Sequence, residues 1–356
     1  INDVKFMLKT PKENWENVQQ TKDGIKVCKY ISKAGWPHPQ LLVRCIWFVK
    51  DGNAKELVDI LGAKDLETRN IYDEQCAGLN VVCNFEEEHG LYIVNNWQKP
   101  IEFSVKARDN KTDLYGIMHL PSHYNENKKY PVLNYIYPGP QAGSIRNYSF
   151  QTTRRDFQSL AELGFVVIAV DAMGTPGRSK SFHDAYYGNM GDNGLPDNIK
   201  TIKELSKLYK GIDIKRVGIW GHSGGGLAST RDVFEYPDFY DVAVSSAGNH
   251  DNRNYEADWG EKWQGLLINS DNASSKNTLS KTNYDNQANQ LIAKNLKGKL
   301  LLAHGNIDNN VPPYNTYLVV DELIKANKDF DLIILPNQRH GFGDQSNYFM
   351  RRKWDY

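Results

Sequence analysis

One stretch, Val217-Gly-Ile-Trp-Gly-His-Ser-Gly-Gly-Gly226, limits the possible folds more than any other part of the chain. A short apolar run ends at Trp220, and Gly221-His222-Ser223-Gly224-Gly225 then matches the pattern G-x-S-x-G. Mechanically, this pattern is a strand that turns sharply into a helix and leaves the serine at the tip, with its hydroxyl exposed. Glycine is needed on both sides because the turn brings backbones too close for a Cβ. The run Leu227-Ala-Ser-Thr-Arg-Asp-Val-Phe234 can form the helix that follows. Ser223 is therefore the candidate nucleophile.

The same logic extends over residues 97–356. Apolar runs at 131–137, 164–171, 216–220, 242–246, 299–304 and 331–335 read as strands. Helical patterns lie between them at 153–163, 196–209, 225–236 and 314–327. In 196–209 the residues Ile199, Ile202, Leu205 and Leu208 form an apolar stripe. Continuous apolar strands alternating with amphipathic helices predict an α/β fold, a mostly parallel sheet covered on both faces. A hairpin at 102–107 and 113–120, around Arg108-Asp-Asn-Lys111, precedes it. Residues 1–96 differ in character. Dense β-branched and aromatic runs at 24–31 and 41–49, with shorter ones at 80–84 and 91–94, are bounded by turn residues; 54–66 is the helical exception. Close-spaced short strands predict an all-β sandwich, barrel or propeller blade. The expected boundary lies near residue 97.

Composition excludes some partners. The chain of 356 residues carries 43 basic and 43 acidic side chains, a net charge of zero, so neither nucleic acid nor an anionic membrane is implied. No run approaches the roughly 20 apolar residues of a membrane span. The four cysteines, Cys28, Cys45, Cys76 and Cys83, fit no common zinc spacing. They are expected as free thiols, or as disulfides in an exported protein.

A serine hydroxyl needs a base to take its proton and a carboxylate to orient that base. In this fold class the chain order is serine, acid, histidine. Downstream of Ser223, the strand at 299–304 runs into Gly305-Asn-Ile-Asp308, and the strand at 331–335 runs into Pro336-Asn-Gln-Arg-His340. Asp308 and His340 are thus candidates at successive strand ends, against the plainer readings of a turn-capping aspartate and a surface-loop histidine. The other histidines fit less well. His304 lies within a strand and is expected to pack. His222 should turn its ring away from the site. His183 lies upstream of the serine, and His250 comes too early. For an oxyanion hole the amide of Gly224 and the hydroxyl of Tyr137, in the loop Tyr137-Pro-Gly-Pro140, are the candidate donors.

With these residues assembled, residues 97–356 resemble the prolyl oligopeptidase family of serine peptidases, in its dipeptidyl peptidase IV-like branch. The matching segments are Tyr135-Ile-Tyr-Pro-Gly-Pro140, Gly221-His-Ser-Gly-Gly-Gly226, His304-Gly-Asn-Ile-Asp-Asn-Asn-Val311 and His340-Gly-Phe342. The resemblance implies an α/β-hydrolase fold, with Ser223, Asp308 and His340 as the triad and Tyr137 with Gly224 as the oxyanion hole. It also implies a first specificity pocket walled by Tyr255, Trp259, Asn310 and Val311, suited to the flat ring of proline. The alternative for the aromatics is packing within a lid helix. Peptides are the implied substrates; no metal or cofactor is required, and a homodimer is compatible.

The resemblance further implies a β-propeller before the hydrolase domain, of which residues 1–96 would be the tail end, with the rest preceding Ile1. It favours a periplasmic or secreted location. Two departures bear on substrate choice. No acidic pair for holding a free amino terminus is assignable, since Glu86-Glu-Glu88 reads as a solvated turn. Gly224 also stands where dipeptidyl peptidase IV has tyrosine. A carboxylesterase or acyl hydrolase on the same fold remains an alternative, as does a non-catalytic binding protein with a degenerate site.

Overall fold

The computed structural model describes residues 15–20, 26–30 and 43–46 and, from 99 onward, all except 146–153, 193 and 270–281. The chain divides into two compact units, Ile1–Lys99 with Phe150–Asp156, and Pro100–Ser149 with Phe157–Tyr356. In the first unit, strands β1 (Trp15–Gln20), β2 (Lys26–Tyr30) and β3 (Val43–Ile46) form an antiparallel sheet in that order. Its register sets Cys28 opposite Arg44, and Val27 opposite Cys45. The expected strands at 80–84 and 91–94, the helix at 54–66 and the Glu86–Glu88 turn fall outside the described residues.

The second unit is built on an 8-stranded sheet. Strands β4 (Ile101–Lys106) and β5 (Asp113–His119) make the expected antiparallel hairpin. Strands β6 (Tyr130–Tyr135), β7 (Val166–Asp171), β8 (Ile212–His222), β9 (Val242–Ser246), β10 (Lys299–Gly305) and β11 (Asp331–Leu335) follow. The spatial order is β11-β10-β9-β8-β6-β7-β5-β4, parallel from β11 to β7. The helices are α1 (Phe157–Glu162), α2 (Lys180–His183), α3 (Leu195–Leu208), α4 (Gly224–Glu235), α5 (Ala257–Gln264), α6 (Tyr314–Lys325) and α7 (Ser346–Asp355).

The sequence pattern explains these elements. Val166 to Val170 are all buried, as a strand covered on both faces requires. Helix α3 buries Leu195, Ile199, Ile202 and Leu205. Leu208, counted in the expected stripe, is instead 70% exposed. Each step of three residues falls about 60° short of a full turn at 3.6 residues per turn. Three such steps carry Leu208 to the face opposite Ile199. Strand β8 begins earlier than residue 216 because its register jumps from Pro131↔Asp213 to Val132↔Val217. The intervening residues Ile214, Lys215 and Arg216 are exposed and bulge out, and only the inner half has the unbroken apolar run.

The strand order positions the site. From β6 the chain crosses to β7 on one side, then returns to β8 on the other. Ligands in open α/β sheets bind at such a reversal, beyond the carboxyl ends of the strands. Here those ends lead into Tyr137 and Ser223. Beneath them Tyr135, Phe157 and Trp220 pack ring to ring, with centroids 5.2 to 5.6 Å apart. Among the described residues no helix is long and apolar enough to cross a membrane.

Candidate active site

Ser223 caps α4 in a strained conformation, φ 60° and ψ −123°. A non-glycine residue there costs on the order of 1–3 kcal/mol and persists only where its surroundings dictate it. They do so here: the Ser223 amide donates to the Ser246 carbonyl of β9 at 2.8 Å. A Cβ on Gly221 would come within 2.3 Å of the Gly225 carbonyl oxygen, and one on Gly225 within 2.3 Å of that of Ile136. The glycine pattern therefore follows from backbone-to-backbone approach.

Asp308 and His340 come together. Asp308 is buried, and its Oδ2 accepts a hydrogen bond from His340 Nδ1 at 2.8 Å. Its Oδ1 accepts the amides of Asn310 at 2.9 Å and Val311 at 3.0 Å. Burial alone would raise the Asp308 carboxyl. Hydrogen bonds from His304 and His340, the His340 charge and the Asn310 amide more than offset it and hold the carboxyl well below the usual range. With Nδ1 engaged, Nε2 of His340 is left for a second partner. His340 lies in a turn that continues through Phe342 at φ 61° and Gly343 at φ 43°.

Two histidines do more than the sequence reading allowed. His222 was expected to turn away, yet its ring lies against His340, with centroids 4.7 Å apart, and edge-on to Phe342 at 5.4 Å. The cause is lateral: His222 Nδ1 is 2.9 Å from Ser246 Oγ on β9, which holds the ring at the sheet edge. His304 is fully buried, as expected, but it also reaches Asp308. A third, His183, lies by the loop after β6, its Nε2 2.7 Å from the Pro140 carbonyl, and its ring meets Trp263 of α5.

Tyr137 and Gly224 also adjoin. A Cβ on Gly224 would sit 3.9 Å from Tyr137 Cζ, so the tyrosine ring lies beside the first turn of α4. The Tyr137 amide donates to Ser144 Oγ at 3.0 Å, and Gln141 Nε2 donates to the Tyr137 hydroxyl oxygen at 3.0 Å. Of the four expected pocket residues, Tyr255 donates from its hydroxyl to Asn310 Oδ1 at 3.1 Å and meets Trp259 edge to face at 5.4 Å. Val311 is fully buried, and Asn310 is exposed. Burial, with Glu256, Tyr137 and Asp308 nearby, pushes the Tyr255 hydroxyl up to about 12. Among the described residues no group of His, Cys, Asp and Glu side chains is arranged to hold a metal.

A mostly parallel sheet with a strained serine elbow at its reversal point defines the α/β-hydrolase class. Within that class, the profile of the prolyl oligopeptidase family matches residues 150–356, more than half of the chain. The chain belongs to this family of serine-type peptidases. Human dipeptidyl peptidase 8 is 29% identical over 245 residues, covering 69% of this chain and 26% of the relative. Dipeptidyl peptidase family member 1 of Caenorhabditis elegans is 28% identical over 270 residues, 74% of this chain and 31% of the relative. The crystal structure of Porphyromonas gingivalis dipeptidyl peptidase 4 is similar with a TM-score of 0.64 and 25% identity, covering 76% of this chain and 37% of that one. The chain thus spans roughly a quarter to two fifths of the length of these proteins.

Proposed function

We propose that this protein is a serine peptidase that cleaves small peptides after proline or a similar small residue through an acyl-enzyme, releasing N-terminal dipeptides. The observation that carries the reading is the 2.8 Å bond between His340 and buried Asp308, at the same sheet edge as the strained Ser223 elbow. In this reading His340 Nε2 takes the Ser223 proton as the hydroxyl attacks the scissile carbonyl, then returns it to the leaving amine. Asp308 fixes the Nδ1–H tautomer and stabilises the imidazolium. The Gly224 amide and the Tyr137 hydroxyl receive the charge that develops on the carbonyl oxygen. Gln141 Nε2 donates to the Tyr137 hydroxyl oxygen and so helps to hold the ring's tip in place beside the elbow.

Tyr255, Trp259, Asn310 and Val311 would form the slot for the residue before the scissile bond. A flat aromatic wall suits proline, which has no N–H to satisfy. The names of the relatives support dipeptide release. Residues 97–356 are assigned here as the catalytic domain and 1–96 as the end of a propeller-like domain, in keeping with the antiparallel sheet of β1 to β3.

The test is hydrolysis of paired reporters, a Gly-Pro amide and its N-acetyl form, by the full-length protein, with Ser223→Ala as control. Cleavage of the free-amine reporter alone is expected. Cleavage of the blocked one would replace dipeptide release with endo- or acyl-peptidase action. Hydrolysis of simple esters and of neither amide would make it an esterase. Ser223→Ala should lower turnover by several orders of magnitude with the fold intact.

A further inference from the structure

We infer that His304 is a positioning residue for the Asp308–His340 pair, an inference that rests on the serine-peptidase reading above. His304 stands near the carboxyl end of β10, and its side chain is fully buried. Beyond it the chain turns at Gly305, where the Asp308 amide bonds the Gly305 carbonyl at 3.2 Å. This turn folds Asp308 back over the His304 ring.

The tautomer follows from the partners. His304 Nε2 is 2.9 Å from the Val311 carbonyl oxygen, which only accepts, so Nε2 carries a proton. The same nitrogen is 3.3 Å from Asp308 Oδ2, the oxygen that takes the hydrogen bond from His340. On the opposite side of the ring, Nδ1 is 2.7 Å from Thr316 Oγ1 in the first turn of α6. In the neutral imidazole Nδ1 accepts the threonine proton. Both ring nitrogens are therefore engaged, and the ring cannot rotate without leaving buried partners unsatisfied. His304 has no route to substrate and is not a second base. It acts through Asp308.

Two consequences follow for the carboxylate. It is clasped by N–H groups on both oxygens, which fixes its rotamer and so the direction of the His340 ring. And the Nε2–H shares Oδ2 with His340, which tempers the pull of that oxygen on the His340 proton. The other ionisable groups around the trio are His222, packed on His340; His250, pushed down to about 3 by burial with a smaller contribution from His304; and Tyr255, whose hydroxyl is pushed up. His250 and Tyr255 are neutral across the working range, so loss of the His304 donor is not masked by their titration.

The test compares His304→Phe and His304→Gln with the wild type in the full-length protein, reading kcat, KM and the pH profile of kcat/KM. In His304→Phe, kcat should fall about 10- to 100-fold with KM little changed, the cost of a loosened relay. The acid limb of kcat/KM should move up by about 0.5 to 1 pH unit, because Oδ2 without its second donor holds the His340 proton more firmly. His304→Gln restores an N–H and should bring the limb back toward wild type. Thr316→Val, which removes only the hydroxyl on Nδ1, should move the limb in the same direction by less, and it serves if the phenylalanine variant does not fold. Variants that fold and still label with a fluorophosphonate but keep the wild-type limb would overturn the inference alone. If the wild type itself does not label, the peptidase reading falls and takes this inference with it.

Discussion

The glycines around Ser223 make unequal demands, and substituting them one at a time tests the elbow directly. In Gly225→Ala the new Cβ would lie 2.3 Å from the Ile136 carbonyl oxygen. Both atoms belong to the sheet edge and the first turn of α4, so neither can swing aside as a side-chain tip would. Ordinary contact begins near 3.4 Å, which leaves about 1 Å to be taken up by moving α4 or β6. Overpacking of this kind costs about 1–3 kcal/mol, occasionally more. For a domain of this size that corresponds to a fall in Tm of roughly 2–12 °C. Gly224→Ala is the internal control. Its Cβ would lie 3.9 Å from Tyr137 Cζ, in ordinary contact, and it retains the backbone N–H assigned to the oxyanion hole. Differential scanning fluorimetry and fluorophosphonate labelling should therefore separate the two: Gly225→Ala loses melting temperature and most labelling, while Gly224→Ala keeps both. Equal damage from the two substitutions, or a Gly225→Ala protein with wild-type Tm and labelling, would refute the close-approach argument.

Two further substitutions probe the site. Asp308→Asn should leave the backbone amides of Asn310 and Val311 an acceptor but lose the orientation of the His340 tautomer, with kcat falling about 10⁴-fold in burst-corrected assays at fixed pH. Tyr137→Phe keeps the ring beside Gly224 and removes only the hydroxyl. A kcat loss of about 10²- to 10³-fold with little change in KM is expected, and a KM effect alone would assign Tyr137 to substrate binding instead.

The parallel sheet was legible because its inner strands, such as β7 and β10, are buried on both faces. Val166 to Val170 and Leu300 to Ala303 give unbroken apolar runs, and such a run needs no partner to be recognised. Ser223, Asp308 and His340 were legible for a related reason. Each follows a strand end, and the positions after strand ends of a parallel sheet share one edge whatever the details of packing. What was lost depends on lateral neighbours. The bulge at 214–216 exists because β8 pairs with β6 on either side of it, while in the sequence Asp213, Lys215 and Arg216 interrupt the apolar run there. The approach of His222 to His340 depends on Ser246, two dozen residues on.

His304 is the most instructive of these cases. Its burial was legible, since it closes an apolar strand. Its reach to Asp308 was not, because a four-residue separation brings side chains together in a helix and not along a strand. The contact arises only because the strand stops at Gly305, whose added Cβ would lie 2.3 Å from the Gln338 carbonyl oxygen. That approach also ties the Asp308 turn to the loop bearing His340, as does the bond of the Ile307 amide to the Gln338 carbonyl at 3.2 Å. The loop after β10 is thus held from one side by His304 and from the other by the His340 loop. The two strand ends are coupled by backbone contacts before the His340–Asp308 hydrogen bond is counted, so a substitution at Gly305 should disturb that bond even though glycine offers it no side chain.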